Sequence, residues 1–164
     1  AVAAALLGMY LGVALTVSRT TMIQLSCFVG GIAALLTGSG MDTFEMLNKP
    51  PLSPPGWLFP VVWSVLYTLM GISAWMVWKR PGSSRGALGA YGLQLVLNVL
   101  WTPVFFRLER YWLAFFILVL LWVAIGNMIL QFRKVSTKAA LLQIPYLLWV
   151  TFAGYLNFMI AWLN

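Results

Sequence analysis

The sequence has 164 residues, of which 62% are hydrophobic and 8% are charged, and its formal net charge is +7. A soluble globular domain carries roughly 25% charged residues, so these few charges could not cover a surface that faces water. The composition therefore predicts a single domain with the lipid bilayer as its partner. Nucleic-acid binding is not indicated, because the Lys and Arg residues stand mostly at the ends of apolar runs and leave no basic face for phosphates.

The N-terminal part contains two apolar runs, 1–18 and 20–37, which are divided by Arg19. We expect a transmembrane helix near 20–37. Residues 1–19 allow three interpretations: an apolar extension of that helix, an extra membrane helix or a targeting segment. We therefore predict a transmembrane domain over 20–164 and leave the segment before it undecided.

The connection over 38–56 is the longest polar stretch, and it is rich in proline. Proline fixes φ and removes a backbone donor, so the pattern predicts a stiff extended loop. Ser53 is a candidate cap for the helix that follows.

Four further uncharged runs, over 57–78, 86–106, 111–132 and 139–163, complete the predicted set of spans. Each has about the 20 residues that cross ~30 Å of hydrocarbon. The predicted fold is therefore all-α, an integral membrane bundle of five transmembrane helices, with the N-terminal extension or extra helix as an addition. The positive-inside rule makes one end of this bundle cytoplasmic. The basic residues at that end are Arg19, Lys79, Arg80, Arg85, Arg133, Lys134 and Lys138.

Large aromatic side chains recur at helical spacing together with small or polar residues. The three stripes are Trp63, Tyr67, Met70 and Ala74; Gln94, Asn98, Trp101 and Phe105; and Tyr146, Trp149, Ala153 and Leu156. They could line a cavity for a flat aromatic ligand by stacking and a few hydrogen bonds, or they could be ordinary helix packing. Gln94 and Asn98 are costly in hydrocarbon unless they are paired, which favours hydrogen bonds between helices.

The start of the third predicted core span is built from small residues, among them Gly86, Gly89 and Ala90. Small residues let two helices approach closely, so this surface is a candidate homodimer face, with packing inside one chain as the alternative. The sequence has no His and a single Cys, so no metal site is predicted and no cofactor is required. No motif for a hydrolytic nucleophile is present either.

Three ordered motifs carry a resemblance to a known family. They are Lys49-Pro50 with Pro54-Pro55-Gly56-Trp57 and Pro60-Val61-Val62-Trp63; Leu97-Asn98-Val99-Leu100-Trp101-Thr102-Pro103; and Pro145-Tyr146-Leu147-Leu148-Trp149. In order and spacing they resemble the TspO/MBR family of tryptophan-rich sensory proteins and translocator proteins (peripheral benzodiazepine receptors), over roughly 27–164. The resemblance implies five transmembrane helices, usually in a homodimer, in a bacterial envelope or a mitochondrial outer membrane.

The resemblance also implies a ligand: porphyrins such as protoporphyrin IX, and benzodiazepine-type drugs. The residues of this sequence that correspond to the family's pocket are Trp63, Tyr67, Asn98, Trp101, Trp149, Ala153 and Leu156. We add Tyr146, which lies on the same stripe as Trp149. The loop residues expected to cover the mouth are Lys49, Pro50, Pro54 and Pro55. Cholesterol binding is doubtful, because the matching stretch has Phe158 in place of Tyr and no basic residue after it.

Three functions follow as hypotheses. The first is a membrane receptor or transporter-like protein for porphyrins. The second is an enzyme that degrades porphyrin in light, with Trp63 and Trp149 as candidate catalytic residues, since the resemblance places both at positions implicated in that reaction. The third is a structural or partner-binding membrane protein in which the tryptophans serve only as packing.

Overall fold

The computed structural model describes residues 18–38, 40–80 and 84–164. Within these ranges the chain forms seven α-helices, which are α1 (Arg19–Thr37), α2 (Gly40–Met46), α3 (Leu58–Trp78), α4 (Ser84–Phe106), α5 (Tyr111–Val135), α6 (Thr137–Leu141) and α7 (Ile144–Leu163). Residues 1–17 lie outside the described part, so the alternatives for the N-terminal segment stay predictions.

Five stretches are long and apolar enough to cross a membrane, as the sequence predicts. They are Arg19–Thr37, Leu58–Trp78, Arg85–Phe106, Tyr111–Val135 and Thr137–Leu163. The chain is a multi-pass integral membrane protein, and the predicted all-α class is confirmed.

The five spans form a ring. Most neighbouring helices in it pack closely, whereas one pair is bridged by large side chains. The closest neighbours are α4 with α5, α1 with α3, α5 with α7, and α1 with α4. Large aromatic rings bridge α3 and α7, which complete the ring. Phe59 lies 5.8 Å from Trp149 between ring centroids, and Trp63 lies 6.2 Å from Tyr146. The wall between α3 and α7 therefore depends on side chains rather than on close backbone packing.

Glycine sets the spacing of α1 and α3. A Cβ built on Gly71 would lie 2.5 Å from the Cα of Ile23, and one built on Gly30 would lie 2.5 Å from the ring of Tyr67. Because real side chains do not approach this closely, only glycine allows the two helices to pack at this distance.

The prediction of an extended loop over 38–56 is wrong for residues 40–46, which form α2. This helix packs through Phe44, which is 3% exposed. Gly40 lies directly against the backbone of Phe106 at the end of α4. Ser53 does not cap α3, because Trp57 holds the N-cap position without a side-chain hydrogen bond.

The last span is interrupted rather than continuous. Helix α6 ends at Leu141 and α7 begins at Ile144, so that Pro145 lies in the first turn of α7. A proline there has no intrahelical hydrogen bond to lose. The proline therefore marks where a new helix starts.

Three of the basic residues predicted to share one face, Arg19, Lys79 and Arg80, make contacts at one end of the bundle. Arg80 donates from Nη1 to the backbone oxygen of Val135 at the end of α5, over 2.7 Å. Arg19 and Lys79 both lie over the Trp75 ring, at 5.9 and 4.5 Å from its centroid. Cation–π contacts therefore join the start of α1 to the end of α3.

We expect Gly71→Ala to lower stability by about 1–3 kcal/mol, because the added methyl overpacks the α1–α3 contact. Gly31→Ala is the matched control: a Cβ at Gly31 on α1 meets no described atom within 4 Å, and alanine is the better helix former. Thermal unfolding of both variants in the same detergent measures the difference. Equal melting temperatures would show that the close approach does not limit packing.

Candidate ligand-binding cavity

A cavity of about 220 Å³ lies inside the bundle, between α1, α3 and α4. Its lining residues are Gly30, Ala33, Ala34, Thr37, Gly38, Met41, Phe59, Pro60, Trp63, Tyr67, Asn98, Trp101, Thr102 and Phe106. Most of these side chains are apolar or aromatic, and the few polar ones carry hydroxyl or amide groups. Such a lining suits a neutral apolar ligand that makes a small number of hydrogen bonds.

A buried hydrogen-bond network fixes the polar side of the cavity. The Tyr67 hydroxyl donates to Asn98 Oδ1 over 2.8 Å, and Asn98 Nδ2 donates to the Tyr146 hydroxyl over 2.9 Å. Tyr146 in turn donates to Gln94 Oε1 over 2.8 Å. These side chains come from α3, α4 and α7, and each is at most 4% exposed. The predicted hydrogen bonds between helices are therefore confirmed for Asn98 and Gln94.

Two tryptophans form walls of the cavity. Trp63 is half-buried, with its ring centroid 5.6 Å from that of Tyr67. Trp101 stacks on Phe105 at 5.3 Å, and its indole N–H donates to Asn157 Oδ1 over 3.1 Å. Because that N–H already has an acceptor, Trp101 offers the cavity its ring face rather than a hydrogen-bond donor.

The structure brings four of the eight predicted ligand-binding residues to this cavity: Trp63, Tyr67, Asn98 and Trp101. Tyr146 lies behind them as part of the hydrogen-bond network.

The remaining three predicted residues lie beyond Phe59. Ala153 and Leu156 line a small void of about 20 Å³, which Phe59 and Phe106 separate from the cavity. Trp149 lines a third space, on the outside of the bundle.

That outer space is a groove of about 490 Å³ between α3 and α7, which we call the α3–α7 groove. Its lining residues are Val61, Val62, Val65, Leu66, Pro145, Leu148, Trp149 and Phe152. The groove is apolar, and Val61, Val65 and Leu148 are each more than half exposed. Trp149 Nε1 is buried at its edge and has no hydrogen-bond partner among the described residues.

The predicted lid residues lie at the loop end of the bundle. Pro50 is buried, Lys49 is exposed with Nζ 5.1 Å from the centroid of the Phe44 ring, and Pro51 accepts a 3.3 Å hydrogen bond from the Tyr155 hydroxyl. These contacts tie the loop to α2 and α7. Lys49, Pro50, Pro54 and Pro55 are absent from the described lining of the cavity, whose loop end is formed by Thr37, Gly38, Met41 and Pro60.

The aromatic stripes did not predict that α1 contributes residues to the cavity. Gly30, Ala33, Ala34 and Thr37 all line the cavity. Their spacing of three, four and seven residues is the signal that could have found them, because small residues on one helical face leave room beside a bulky neighbour. Phe59 was also missed, although it lies four residues before Trp63 and therefore on the same helical face.

The chain is similar to known membrane proteins along most of its length. The model of the TspO/MBR family matches residues 20–163. The chain is 40% identical over 123 residues to a tryptophan-rich sensory protein of Cereibacter sphaeroides, which covers 75% of this chain and 77% of that protein. It is 39% identical over 142 residues to the protein CrtK of Rhodobacter capsulatus, covering 85% and 88%.

Mammalian relatives match as well. The human translocator protein is 36% identical over 141 residues, which covers 84% of this chain and 82% of that protein. This chain belongs to the TspO/MBR family. The resemblance stated from the three motifs is therefore confirmed.

The small-residue surface of this TspO/MBR protein is divided between its outside and its core. Gly86 and Gly89 are exposed on α4, and a Cβ built on either meets no described atom within 4 Å. Ala90 is 7% exposed and packs inside the bundle. Of the three residues predicted for a dimer face, only the two glycines lie on an outer surface of the chain.

We expect Asn98→Leu to destabilise the protein by about 1–3 kcal/mol, because the Tyr67 hydroxyl loses the Asn98 oxygen that accepts its hydrogen bond inside an apolar bundle. The matched control is Asn127→Leu, since Asn127 is exposed on α5. Replacing an amide that faces lipid by leucine should leave stability unchanged or raise it. Unfolding midpoints in detergent measure both, and equal effects at the two positions would contradict a structural role for the network.

Proposed function

We propose that this TspO/MBR protein is a membrane receptor or transporter-like protein that binds porphyrins, such as protoporphyrin IX, and benzodiazepine-type ligands. The observation that carries the proposal is the pairing of two indole walls, Trp63 and Trp101, with the polar groups of Asn98 and Thr102 around one apolar cavity.

The chemistry of the cavity suits a flat aromatic guest. Ring faces of Trp63 and Trp101 offer stacking surfaces, and aromatic pairs gain about 0.5–1.5 kcal/mol beyond the burial of their area. The Thr102 hydroxyl, which donates to the backbone oxygen of Asn98 over 3.3 Å, retains lone pairs that accept from a ligand N–H. A pyrrole or amide N–H is such a donor.

The size of the cavity sets a condition on binding. Its 220 Å³ is below the range of about 300–1,000 Å³ that holds most drug-sized ligands. Phe59 borders both the cavity and the small void that Ala153 and Leu156 line. Because that void adds only about 20 Å³, a bound drug or tetrapyrrole would have to displace lining side chains, and Phe59 is one that would move.

The names of the relatives agree with this kind of role. They include a sensory protein and translocator proteins from bacteria and mammals. Sensing and translocation both require a reversible binding site, which the cavity would provide.

We extend the proposal to a homodimer that pairs the outer faces of α4. Gly86 and Gly89 are followed at helical spacing by Leu93, Val96 and Leu100, which are 53%, 57% and 50% exposed. The glycines would allow close approach of the two helices, and the larger side chains would pack along the rest of the face.

We expect protoporphyrin IX to quench the tryptophan fluorescence of the purified protein saturably, and Ala34→Phe to weaken its Kd at least tenfold. The new ring would occupy the cavity from α1, where Ala34 is both exposed and part of the lining. Leu35→Phe is the control, because Leu35 lies one residue further along and is 81% exposed away from the cavity.

A titration in which the two variants and the unmodified protein share one Kd would place the porphyrin outside the cavity. Quenching that rises linearly without saturation would exclude a binding site and favour the third hypothesis, in which the tryptophans serve only as packing.

A second candidate function is light-dependent porphyrin breakdown. Trp63 favours it, because its indole lines the cavity and would lie against a bound porphyrin, the position from which an indole can give one electron to the excited pigment. Trp149 faces the α3–α7 groove instead.

For this activity we expect illumination to bleach bound protoporphyrin IX faster than free pigment, and Trp63→Phe to abolish the excess rate. Trp112→Phe is the control, since Trp112 is 44% exposed on the outer face of α5. Absorption spectra before and after illumination measure the loss. Bleaching at the rate of free pigment would reject the enzymatic hypothesis and leave the receptor hypothesis intact.

A further inference from the structure

Aromatic side chains are the barrier between the inner cavity and the α3–α7 groove. Phe59 lines the cavity, and its ring lies edge-on to Trp149, which lines the groove, with 5.8 Å between centroids. One layer of two rings thus separates the candidate ligand site from the outside of the bundle.

The outer side of this barrier faces the hydrocarbon of the bilayer. Val65 and Leu148, which flank the groove, are 55% and 64% exposed and lie within two membrane spans. A molecule that reaches the groove must therefore already be dissolved in lipid. Porphyrins and benzodiazepine-type compounds are apolar enough to partition there.

The barrier also carries an unused hydrogen-bond donor. Trp149 Nε1 is buried without a partner in the described part of the chain. A donor that is kept from water and left unpaired is costly, and a ligand acceptor that reaches it would remove that cost. The carboxylate or carbonyl groups of the proposed ligands are acceptors of this kind.

Phe59 lies beside a small gap in the packing. Its ring borders the void of about 20 Å³ next to Ala153, a small residue on α7, and touches Phe44 edge-on at 5.4 Å. A void of this size holds about one water molecule, so a shift of the ring toward Ala153 would open the wall together with neighbouring side chains. Because the α3–α7 contact is made by side chains, it can open at lower cost than the glycine-mediated α1–α3 contact.

We propose that Phe59 and Trp149 form a lateral gate through which an acceptor-bearing aromatic ligand passes between the bilayer and the cavity by way of the α3–α7 groove. This inference rests on the proposed function, because it assigns a route to the ligand of that cavity. It is nevertheless a separate claim, since a ligand could bind the cavity and enter from its loop end.

Val65→Trp tests the gate by filling the groove from a lipid-facing position. Val123→Trp is the matched control: Val65 and Val123 are 55% and 56% exposed, and Val123 lies on the outer face of α5. Protein reconstituted in phosphatidylcholine vesicles is mixed with vesicles that contain protoporphyrin IX. Porphyrin emission in a stopped-flow instrument then follows association, and excess empty vesicles give dissociation.

We expect Val65→Trp to slow both association and dissociation about tenfold and to change Kd less than twofold, because a blocked route alters both rates equally. Val123→Trp should match the unmodified protein. Rates in Val65→Trp that equal those of the control would overturn the gate while saturable binding still supported the cavity. A weakened Kd with an unchanged association rate would also overturn it, since Val65 would then contact the bound ligand. Absence of saturable binding to the unmodified protein would instead remove the proposed function itself.

Discussion

Asn98 joins three membrane helices through two hydrogen bonds, one accepted from Tyr67 on α3 and one donated to Tyr146 on α7. In a bilayer, helices gain little from the hydrophobic effect when they associate, so packing and hydrogen bonds must hold them. An amide on α4 that satisfies two phenols at once fixes the relative rotation of all three helices. The direction in which each aromatic stripe faces follows from that constraint.

The same constraint explains why the bundle has spaces on both sides of one aromatic wall. The network holds the tyrosine hydroxyls together near the centre, while the larger rings of Trp63, Phe59 and Trp149 fill the distance between α3 and α7. Large flat rings fill a wide gap incompletely. A cavity of about 220 Å³ remains on the inner side and a groove of about 490 Å³ on the outer side.

Spacing along the sequence predicted much of this arrangement, because a 3.6-residue period identifies which side chains share a helical face. Spacing could not predict how the faces of different helices are oriented relative to one another. For this reason Trp149 was grouped with the cavity although it borders the groove. Helix α2 was missed because its seven residues are too short for a periodic signal, and its burial depends on Phe106 from a distant part of the chain.

A cavity removes van der Waals contacts between helices. In a membrane bundle this loss lowers stability directly, because the association of helices in lipid has no strong hydrophobic driving force that could offset it. The cavity lies beside the two strongest stabilising contacts of the bundle. The buried hydrogen-bond network lies on one side of it. The other side is lined by α1 and α3, the pair of helices that the close approach of Gly71 to Ile23 holds together. Around Phe59 and Trp149 the α3–α7 wall has neither feature among the described residues, because Tyr146 of the network and the hydrogen bond from Gln143 Nε2 to Ser73 Oγ lie further along the two helices. The least constrained contact of the ring is therefore also the one beside the cavity, which is where a ligand dissolved in the bilayer would meet the lowest barrier.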